Sequence, residues 1–250
     1  MRNSVLLLFL GSLLLGCTAD ETNPGQSGAE ETTLADTIDG HEFIISNVIA
    51  CAGSIQDSAG VRVYLYPRPA VTNIRYFETS NSGVDPNDFE NYTERRPPLN
   101  DLFNGYLRFF EAISESERWV IITFEEEGVV NLSNPIRLKH LTQPTEFLPE
   151  NVVFSNDLQP LNPQFTWVDG AFDDTIIYFQ VVSTQQNDLL SGTYTLDRNF
   201  QFYVLDNVVL NITEEGPPPL ELDTPYTFTL LSVTEDNWVN LFSEISFRLE

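Results

Sequence analysis

The sequence is poor in the residues that most often carry out catalysis. Its 250 residues include two histidines and two cysteines. His41 and His140 lie far apart in the chain, and no motif places either beside a nucleophile. There is no Gly-x-Ser-x-Gly, His-Glu-x-x-His or Cys-x-x-Cys motif, and a carboxylate pair for glycoside hydrolysis leaves no sequence mark. We therefore predict a protein that is not an enzyme, with no catalytic residues, metal or cofactor.

Basic residues are scarce as well. Twelve lysines and arginines accompany 37 aspartates and glutamates, which gives a formal net charge of −25 at pH 7. Nucleic-acid binding needs a basic surface that neutralises phosphates, so nucleic acid is not expected as a partner. Acidity of this kind otherwise indicates solubility and repulsion between copies.

Residues 1–16 have the composition of an export signal. Arg2 supplies a positive charge, and residues 5–15 form an apolar run that is too short to span a bilayer. The run ends in Leu14-Leu15-Gly16-Cys17, which resembles the lipobox that signal peptidase II cleaves in bacterial lipoproteins. The resemblance implies that Cys17 becomes the acylated first residue of the mature chain. The alternative is an ordinary secretory signal with a chance cysteine.

The residues after Cys17 bear on location. Thr18-Ala19-Asp20-Glu21 resembles the acidic export signal of Bacteroidota-type surface lipoproteins. The resemblance implies a lipid anchor in the outer membrane and a body at the cell surface, with the periplasmic face as the alternative. Several acyl chains hold a protein on a membrane where a single chain does not.

Residues 17–40 are predicted to be a lipidated N-terminus and a disordered acidic tether. Residues 20–40 contain acidic residues and no basic residue, among Gly, Ser, Thr, Asn and Pro. Such a stretch buries too little apolar surface to offset the loss of conformational entropy. With Cys17 acylated, Cys51 has no disulfide partner and is predicted to be a small, buried, unreactive side chain.

Beyond residue 40 the sequence lacks sustained helical periodicity. Short runs of β-branched and aromatic residues recur between Gly, Pro, Asn and Asp, which predicts an all-β fold with strands spaced as in β-sandwiches. The prolines in Gln143-Pro144 and Leu148-Pro149 interrupt strand pairing. We therefore predict two tandem β-sandwich modules, residues 41–143 and residues 144–250.

The second module resembles fibronectin type III domains. The stretch Leu220-Glu221-Leu222-Asp223-Thr224-Pro225-Tyr226-Thr227-Phe228 resembles their leucine-turn-tyrosine segment, which implies that Tyr226 forms a tyrosine corner. Phe165-Thr166-Trp167 resembles the tryptophan-bearing second strand, and residues 176–182 resemble the third. In the first module Trp119-Val120-Ile121 stands where the tyrosine would be, so other immunoglobulin-like topologies remain open there. The resemblance implies a fold and no reaction.

A long, proline-containing connection at residues 91–110 is the main candidate for ligand contact. Connections of this length are often functional. Exposed aromatic rings and arginines stack on sugars or anchor partner proteins, so the candidate contact residues are Tyr92, Arg95, Arg96 and Tyr106. The alternative is that the apolar residues of the connection cover an edge of the sandwich. The acidic loops 85–90 and 169–174 suit either calcium or structural turns.

These features together predict a membrane-anchored lipoprotein of non-catalytic type that displays β-sandwich modules to proteins or glycans. One alternative is a carbohydrate-binding or carbohydrate-processing accessory lipoprotein. A second alternative is a structural subunit of an envelope assembly. The expected partners are the membrane, through the lipid, and either an envelope protein or an extracellular glycan.

The lipid anchor is tested by replacing Cys17 with alanine in a bacterium that processes lipoproteins. We expect the wild type to carry acyl mass on Cys17 and to enter the detergent phase, because several buried acyl chains hold it there. Intact-mass measurement and detergent partitioning compare the two proteins. A wild-type chain that is unmodified and stays in the aqueous phase would contradict the anchor.

Overall fold

The computed structural model describes residues 31–250 except residues 158, 160 and 214. The predicted signal peptide, Cys17 and most of the predicted tether lie outside the described residues. Nearly all regular structure in the described part is β-strand, so the predicted all-β sandwich class is confirmed. No helix among the described residues is both long and apolar enough to cross a bilayer.

The elements up to residue 137 are a short helix, a 3₁₀ turn and the strands of two sheets. They are α1 (Leu34–Ile38), β1 (Phe43–Val48), β2 (Ala50–Ser54), β3 (Gly60–Leu65), β4 (Thr72–Glu78), η1 (Phe89–Asn91), β5 (Thr93–Arg95), β6 (Leu99–Leu102), β7 (Leu107–Ile113), β8 (Trp119–Glu126), β9 (Val129–Ser133) and β10 (Ile136–Arg137). Sheet 1 has the order β1-β9-β8-β4-β5, with β10 beside β8, and sheet 2 has the order β2-β3-β7-β6.

The elements from residue 146 onward form two more sheets. They are β11 (Glu146–Phe147), η2 (Pro149–Asn151), β12 (Val152–Ser155), β13 (Gln164–Trp167), β14 (Thr175–Thr184), β15 (Leu189–Thr195), β16 (Asn199–Gln201), β17 (Val208–Asn211), β18 (Pro225–Thr234) and β19 (Val239–Arg248). Sheet 3 has the order β11-β19-β18-β14-β15-β17, and sheet 4 has the order β12-β13-β16.

The two halves repeat one pattern of connections. The first strand of each half lies parallel to a late strand, β1 beside β9 and β11 beside β19. The next strand, β2 or β12, crosses to the other sheet and pairs antiparallel with β3 or β13. The apolar stretch at residues 43–50 is therefore divided between β1 and β2, because its two ends belong to different sheets.

Each half has a core between its two sheets. Sheets 1 and 2 enclose Val63, Tyr76, Phe110, Val120 and Ile122, all of them buried. Sheets 3 and 4 enclose an aromatic cluster in which the rings of Phe165 and Phe228 stack 4.0 Å apart.

The predicted tyrosine corner is present in the second half. Tyr226 is 5% exposed, and its hydroxyl oxygen accepts a hydrogen bond from the backbone N–H of Glu221 at 3.0 Å. Strands β13 and β14 also coincide with the segments predicted as second and third strands of this half.

A further core joins the two halves, because sheets 2 and 3 pack on each other through their outer faces. Tyr64 and Leu107 of sheet 2 meet Phe179, Val181 and Leu231 of sheet 3. Strands β14 and β18 are therefore apolar on both faces, which explains their nearly continuous hydrophobic runs. Residues 32–250 form one compact unit, so the limits predicted for two separate modules remain a prediction.

The predicted tether is wrong in its last residues. Thr33 caps α1: its hydroxyl accepts a hydrogen bond from the backbone N–H of Asp36, and the carboxylate of Asp36 accepts one from the N–H of Thr33. Leu34 is fully buried against the outer face of sheet 1, beside Phe77 and Ile121. Burial of Leu34, the cap at Thr33 and a backbone hydrogen bond from Leu34 to the carbonyl of Tyr92 together order a helix of five residues, which is too short to be stable alone.

Trp238 links the end of the chain to the first core. It lies in the hairpin between β18 and β19, yet its fully buried ring belongs to the core of sheets 1 and 2. The indole N–H donates to the carbonyl of Gln143 at 2.7 Å, and the backbone N–H of Ala52 donates to the carbonyl of Asn237 at 3.0 Å.

Replacing Trp238 with alanine should lower the free energy of unfolding of the whole unit by about 3 to 5 kcal/mol, because it leaves a cavity and an unpaired carbonyl. Urea denaturation followed by circular dichroism measures the change. Val209→Ala is the control, since Val209 is 54% exposed and its loss should matter little. A Trp238→Ala chain as stable as the Val209→Ala chain would contradict the role of this ring.

Glu117 forms hydrogen bonds with residues 141 and 142, in the segment that connects the first half to the second. One of its oxygens accepts hydrogen bonds from the backbone N–H and hydroxyl of Thr142, both at 2.7 Å. Arg137 lies 3.4 Å from the other oxygen. Burial alone would raise the pKa of Glu117, but hydrogen bonds from Thr142, Arg137 and Leu141 together lower it.

Because its pKa is lower in the folded protein, ionised Glu117 stabilises the fold at any pH above its ordinary pKa of 4.5. This contribution is lost as the pH falls from 4.5 through the lower pKa of the folded protein. Glu117→Gln should therefore cost about 2 kcal/mol at neutral pH and progressively less toward pH 3. Urea midpoints across this pH range test the difference. Exposed Glu115 provides the control, since Glu115→Gln should give no such pH-dependent difference.

Candidate functional site

The four candidate contact residues do not form one site. Tyr92 is fully buried between sheet 1 and the segment that contains α1, and its hydroxyl donates to the carbonyl of Pro86 at 2.8 Å. Burial raises the pKa of this hydroxyl. The prediction that Tyr92 contacts a ligand is therefore wrong, because the ring packs beside Leu34 and has no exposed surface.

Tyr106 lies where the two halves meet. Its hydroxyl donates to the carbonyl of Ile212 at 2.6 Å, and its ring stacks on that of Tyr66 with centroids 5.7 Å apart. Leu102 and Phe103 belong to the same cluster. The alternative, in which these residues cover an edge of the sandwich, is therefore closer to the structure than a ligand contact, although the surface that Tyr106 covers is the one between the two halves.

Arg95 and Arg96 occupy the edge of sheet 1, at and just after the end of β5. The Nε of Arg95 lies 3.5 Å from Glu78 Oε1, and the Nε of Arg96 lies 3.5 Å from Glu94 Oε1. The side chain of Arg96 is 87% exposed. Arg95 lines a cavity at this edge, whereas Tyr92, Arg96 and Tyr106 line neither this cavity nor the one between sheets 2 and 3.

The cavity beside Arg95 lies between the edge of sheet 1 and the end of sheet 2 and has a volume of about 760 Å³. We call it the edge cavity. It is lined by Ile55, Ser58, Gly60, Tyr76, Glu78, Arg95, Pro97, Pro98, Asn100, Phe109, Glu111, Ala112 and Ile113.

Glu78 fixes the polar wall of the edge cavity. Its Oε1 lies 2.5 Å from the Nη1 of Arg118, and its Oε2 accepts a hydrogen bond from the hydroxyl of Tyr76 at 3.3 Å. Burial, with a smaller effect of Glu78, raises the pKa of Tyr76, so this hydroxyl keeps its proton. The guanidinium of Arg95 and the amide of Asn100 add further polar groups to the wall. Together with the ring of Phe109, this wall suits a ligand with hydroxyl groups and one apolar face.

A second cavity, which we call the intersheet cavity, lies between sheets 2 and 3 and has a volume of about 380 Å³. Its wall includes Cys51 and Tyr64 from sheet 2 and Phe179, Val181, Leu231, Val233 and Phe242 from sheet 3. Burial raises the pKa of Cys51 to about 12, so the thiol is protonated at neutral pH. A protonated thiol is a poor nucleophile, as expected for the predicted unreactive cysteine. No sequence pattern indicated this cavity. The nearly continuous apolar run of β14, interrupted at Gln180, was the available signal that sheet 3 is covered on both faces.

The acidic loops have partners within the chain. Asp85 accepts a hydrogen bond from the backbone N–H of Asn87 at 2.9 Å, and Asp88 caps η1. Asp169 accepts one from the hydroxyl of Tyr178 at 2.6 Å and pairs with Arg198. In the described part of the chain, no three His, Cys, Asp or Glu residues are grouped to hold a metal ion. These contacts favour structural turns over calcium sites.

Comparison with known proteins does not assign the chain to a family. No known protein family matches the sequence, and no curated protein matches it either. Among solved structures, the chain is similar to the selenomethionine-substituted chicken interferon gamma receptor alpha chain, with 11% identity, coverage of 80% of this chain and 96% of that chain, and a TM-score of 0.24. The likeness is too low to carry an argument, so the class of an all-β, multi-sheet sandwich protein rests on the strands themselves.

Proposed function

We propose that the chain is a non-catalytic lipoprotein, anchored in the outer membrane through acylated Cys17, that binds a glycan in the edge cavity. The observation that carries the glycan contact is the composition of this cavity. Arg95, Asn100 and Glu78 supply polar groups, while Phe109 and two prolines supply ring surfaces. Sugars present hydroxyl groups around an apolar ring face, and this combination matches both.

The lipid anchor is supported by the lipobox pattern, and the point where the folded body begins limits how far that body can lie from the membrane. Thr33 and α1 are already packed on sheet 1. Residues 18–32 could therefore span at most about 50 Å when fully extended, at about 3.5 Å per residue. A body on such a short tether would bind glycans close to the membrane surface.

The carboxylate of Glu78 is suited to hold Arg95 in place, and Arg118, which is not part of the cavity lining, holds the carboxylate in turn. Arg95 and Arg118 both approach its Oε1, at 3.5 and 2.5 Å. Arg95 therefore faces a ligand in a restricted orientation, which reduces the entropy lost when it forms hydrogen bonds. Its neighbour Arg96 is outside the cavity lining and offers a matched comparison.

A protein partner is the second candidate, and strand β1 is the observation that favours it. Strand β1 is an edge of sheet 1 and exposes three consecutive apolar residues, Phe43, Ile44 and Ile45, at 42%, 46% and 58%. An exposed apolar edge strand is a template for an added strand from another protein. A structural role in an envelope assembly would use the same edge.

The glycan proposal is tested with an array of bacterial and host glycans, followed by calorimetric titration of any glycan that binds saturably. Arg95→Ala should weaken binding about tenfold or more, because it removes charge-assisted hydrogen bonds. Arg96→Ala should leave the affinity unchanged. Circular dichroism establishes that both variants are folded.

Two results would contradict the glycan contact. One is equal weakening by Arg95→Ala and Arg96→Ala. The other is an absence of glycan binding together with capture of one stoichiometric envelope protein that is lost on Ile44→Asp, which would assign the partner to β1 instead.

A further inference from the structure

The intersheet cavity is large for a space between two packed sheets. Protein interiors are close-packed and rarely leave voids much larger than a water molecule. An apolar cavity of about 150 Å³ is already sufficient to bind benzene. The intersheet cavity has about 380 Å³, which lies within the range of small-molecule sites. The glycan contact proposed above shares Phe109 with this lining and uses no other residue of it.

Most of the cavity wall is hydrocarbon, although Tyr64 and Tyr194 also line it. Phe179 and Val181 of β14, Leu231 and Val233 of β18, and Phe242 of β19 form its wall on sheet 3. Among the described residues, the buried side-chain atoms without a hydrogen-bond partner all belong to residues outside this lining. A polar group placed against the wall would lose its hydrogen bonds to water without replacement. The wall therefore selects an apolar ligand.

The extent of the lining across sheet 3 gives the ligand its shape. Strands β17, β15, β14, β18 and β19 are neighbours in this sheet, and each contributes to the lining, from Leu210 on β17 to Glu244 on β19. Four spacings between neighbouring strands amount to about 19 Å. A volume of about 380 Å³ spread over this length is narrow, so an extended chain fits it better than a compact ring system.

Polar groups border the cavity beside β19. The hydroxyl of Thr229 donates to Glu244 Oε2 at 3.1 Å, and both residues belong to the lining. Hydroxyl groups of a ligand can donate to the carboxylate and accept from or donate to the threonine hydroxyl. Arg62 of sheet 2 also belongs to the lining, and its Nε donates to Glu111 Oε2 at 3.1 Å. The net charge of −25 disfavours an anionic head group here.

We propose that the intersheet cavity binds one acyl chain of a single-chain lipid with an uncharged, hydroxylated head group. The chain extends across β14 and β18 from the side of β17, and the head group contacts Thr229 and Glu244 on the side of β19. Leu210 on the edge strand β17 lines the cavity and is 41% exposed, which marks a place where the cavity opens to solvent.

The test uses monolauroylglycerol, a lipid of this class, and the full chain carrying Cys17→Ser so that no acyl group of the protein can occupy the cavity. Calorimetric titration below the micellar concentration should show saturable binding of one lipid per chain. Leu231→Trp and Leu210→Trp fill the cavity and should each weaken binding at least tenfold. Val209→Trp, on the residue beside Leu210 but outside the lining, should bind like the parent chain.

A second measurement does not depend on bulky variants. Cys51 is the only thiol left in the Cys17→Ser chain, and it lines the cavity. Its thiol is partly accessible but protonated at neutral pH, so it reacts slowly with N-ethylmaleimide, and the reaction is followed over hours. Saturating monolauroylglycerol should slow this reaction a further several-fold, while glycerol alone should not.

Three results would overturn the proposal. The first is no saturable binding, and the second is unchanged Cys51 labelling in the presence of lipid. The third is tighter binding of laurate than of monolauroylglycerol, which would exclude the uncharged head group. Arg95→Ala should leave lipid binding intact, so failure of the glycan proposal and failure of the lipid proposal can be told apart.

Discussion

The architecture depends on sheets that are apolar on both faces and must be covered on both. Sheet 3 illustrates the constraint: Phe228 points toward the aromatic core with sheet 4, while Phe179 and Leu231 point toward sheet 2. Sheet 1 is in the same position, since Tyr76 faces sheet 2 and Phe77 faces α1. Exposing any of these faces would leave a contiguous apolar patch on the surface. The helix, the long connection at residues 91–110 and the contact between the halves all satisfy this requirement.

Because these faces are covered by segments distant in the chain, the sequence could predict local features of the fold but not which residues of a loop are buried. Tyr226 and Leu220 are close in the chain, so a local pattern was enough to predict the tyrosine corner. The burial of Tyr92 depends on Leu34, which stands alone in a polar segment and gives no periodic signal. Aromatic residues in a loop look alike in sequence whether they face solvent or another element. Only the three-dimensional contact between distant segments distinguishes Arg95, which lines a cavity, from Tyr92, which does not.

The two cavities have different origins in this architecture. The edge cavity lies where sheets 1 and 2 end, so its wall is made of polar side chains and turn residues such as Pro97 and Asn100. The intersheet cavity lies where two apolar faces meet without filling the space between them. The chain therefore has one cavity with a polar wall, between sheets 1 and 2, and one with a mainly apolar wall, between sheets 2 and 3.

The position of Trp238 has a consequence for how the chain acquires its structure. Residues 43–137 contribute nearly all of the first core, but its last aromatic ring arrives about a hundred residues later, with the hairpin between β18 and β19. A chain that emerges from a ribosome or an export channel from its N-terminus therefore presents its first sheets before their core can be completed. Maturation of the first half must wait for the end of the chain, and a fragment that stops before residue 238 would lack a ring that its own sheets are built to enclose.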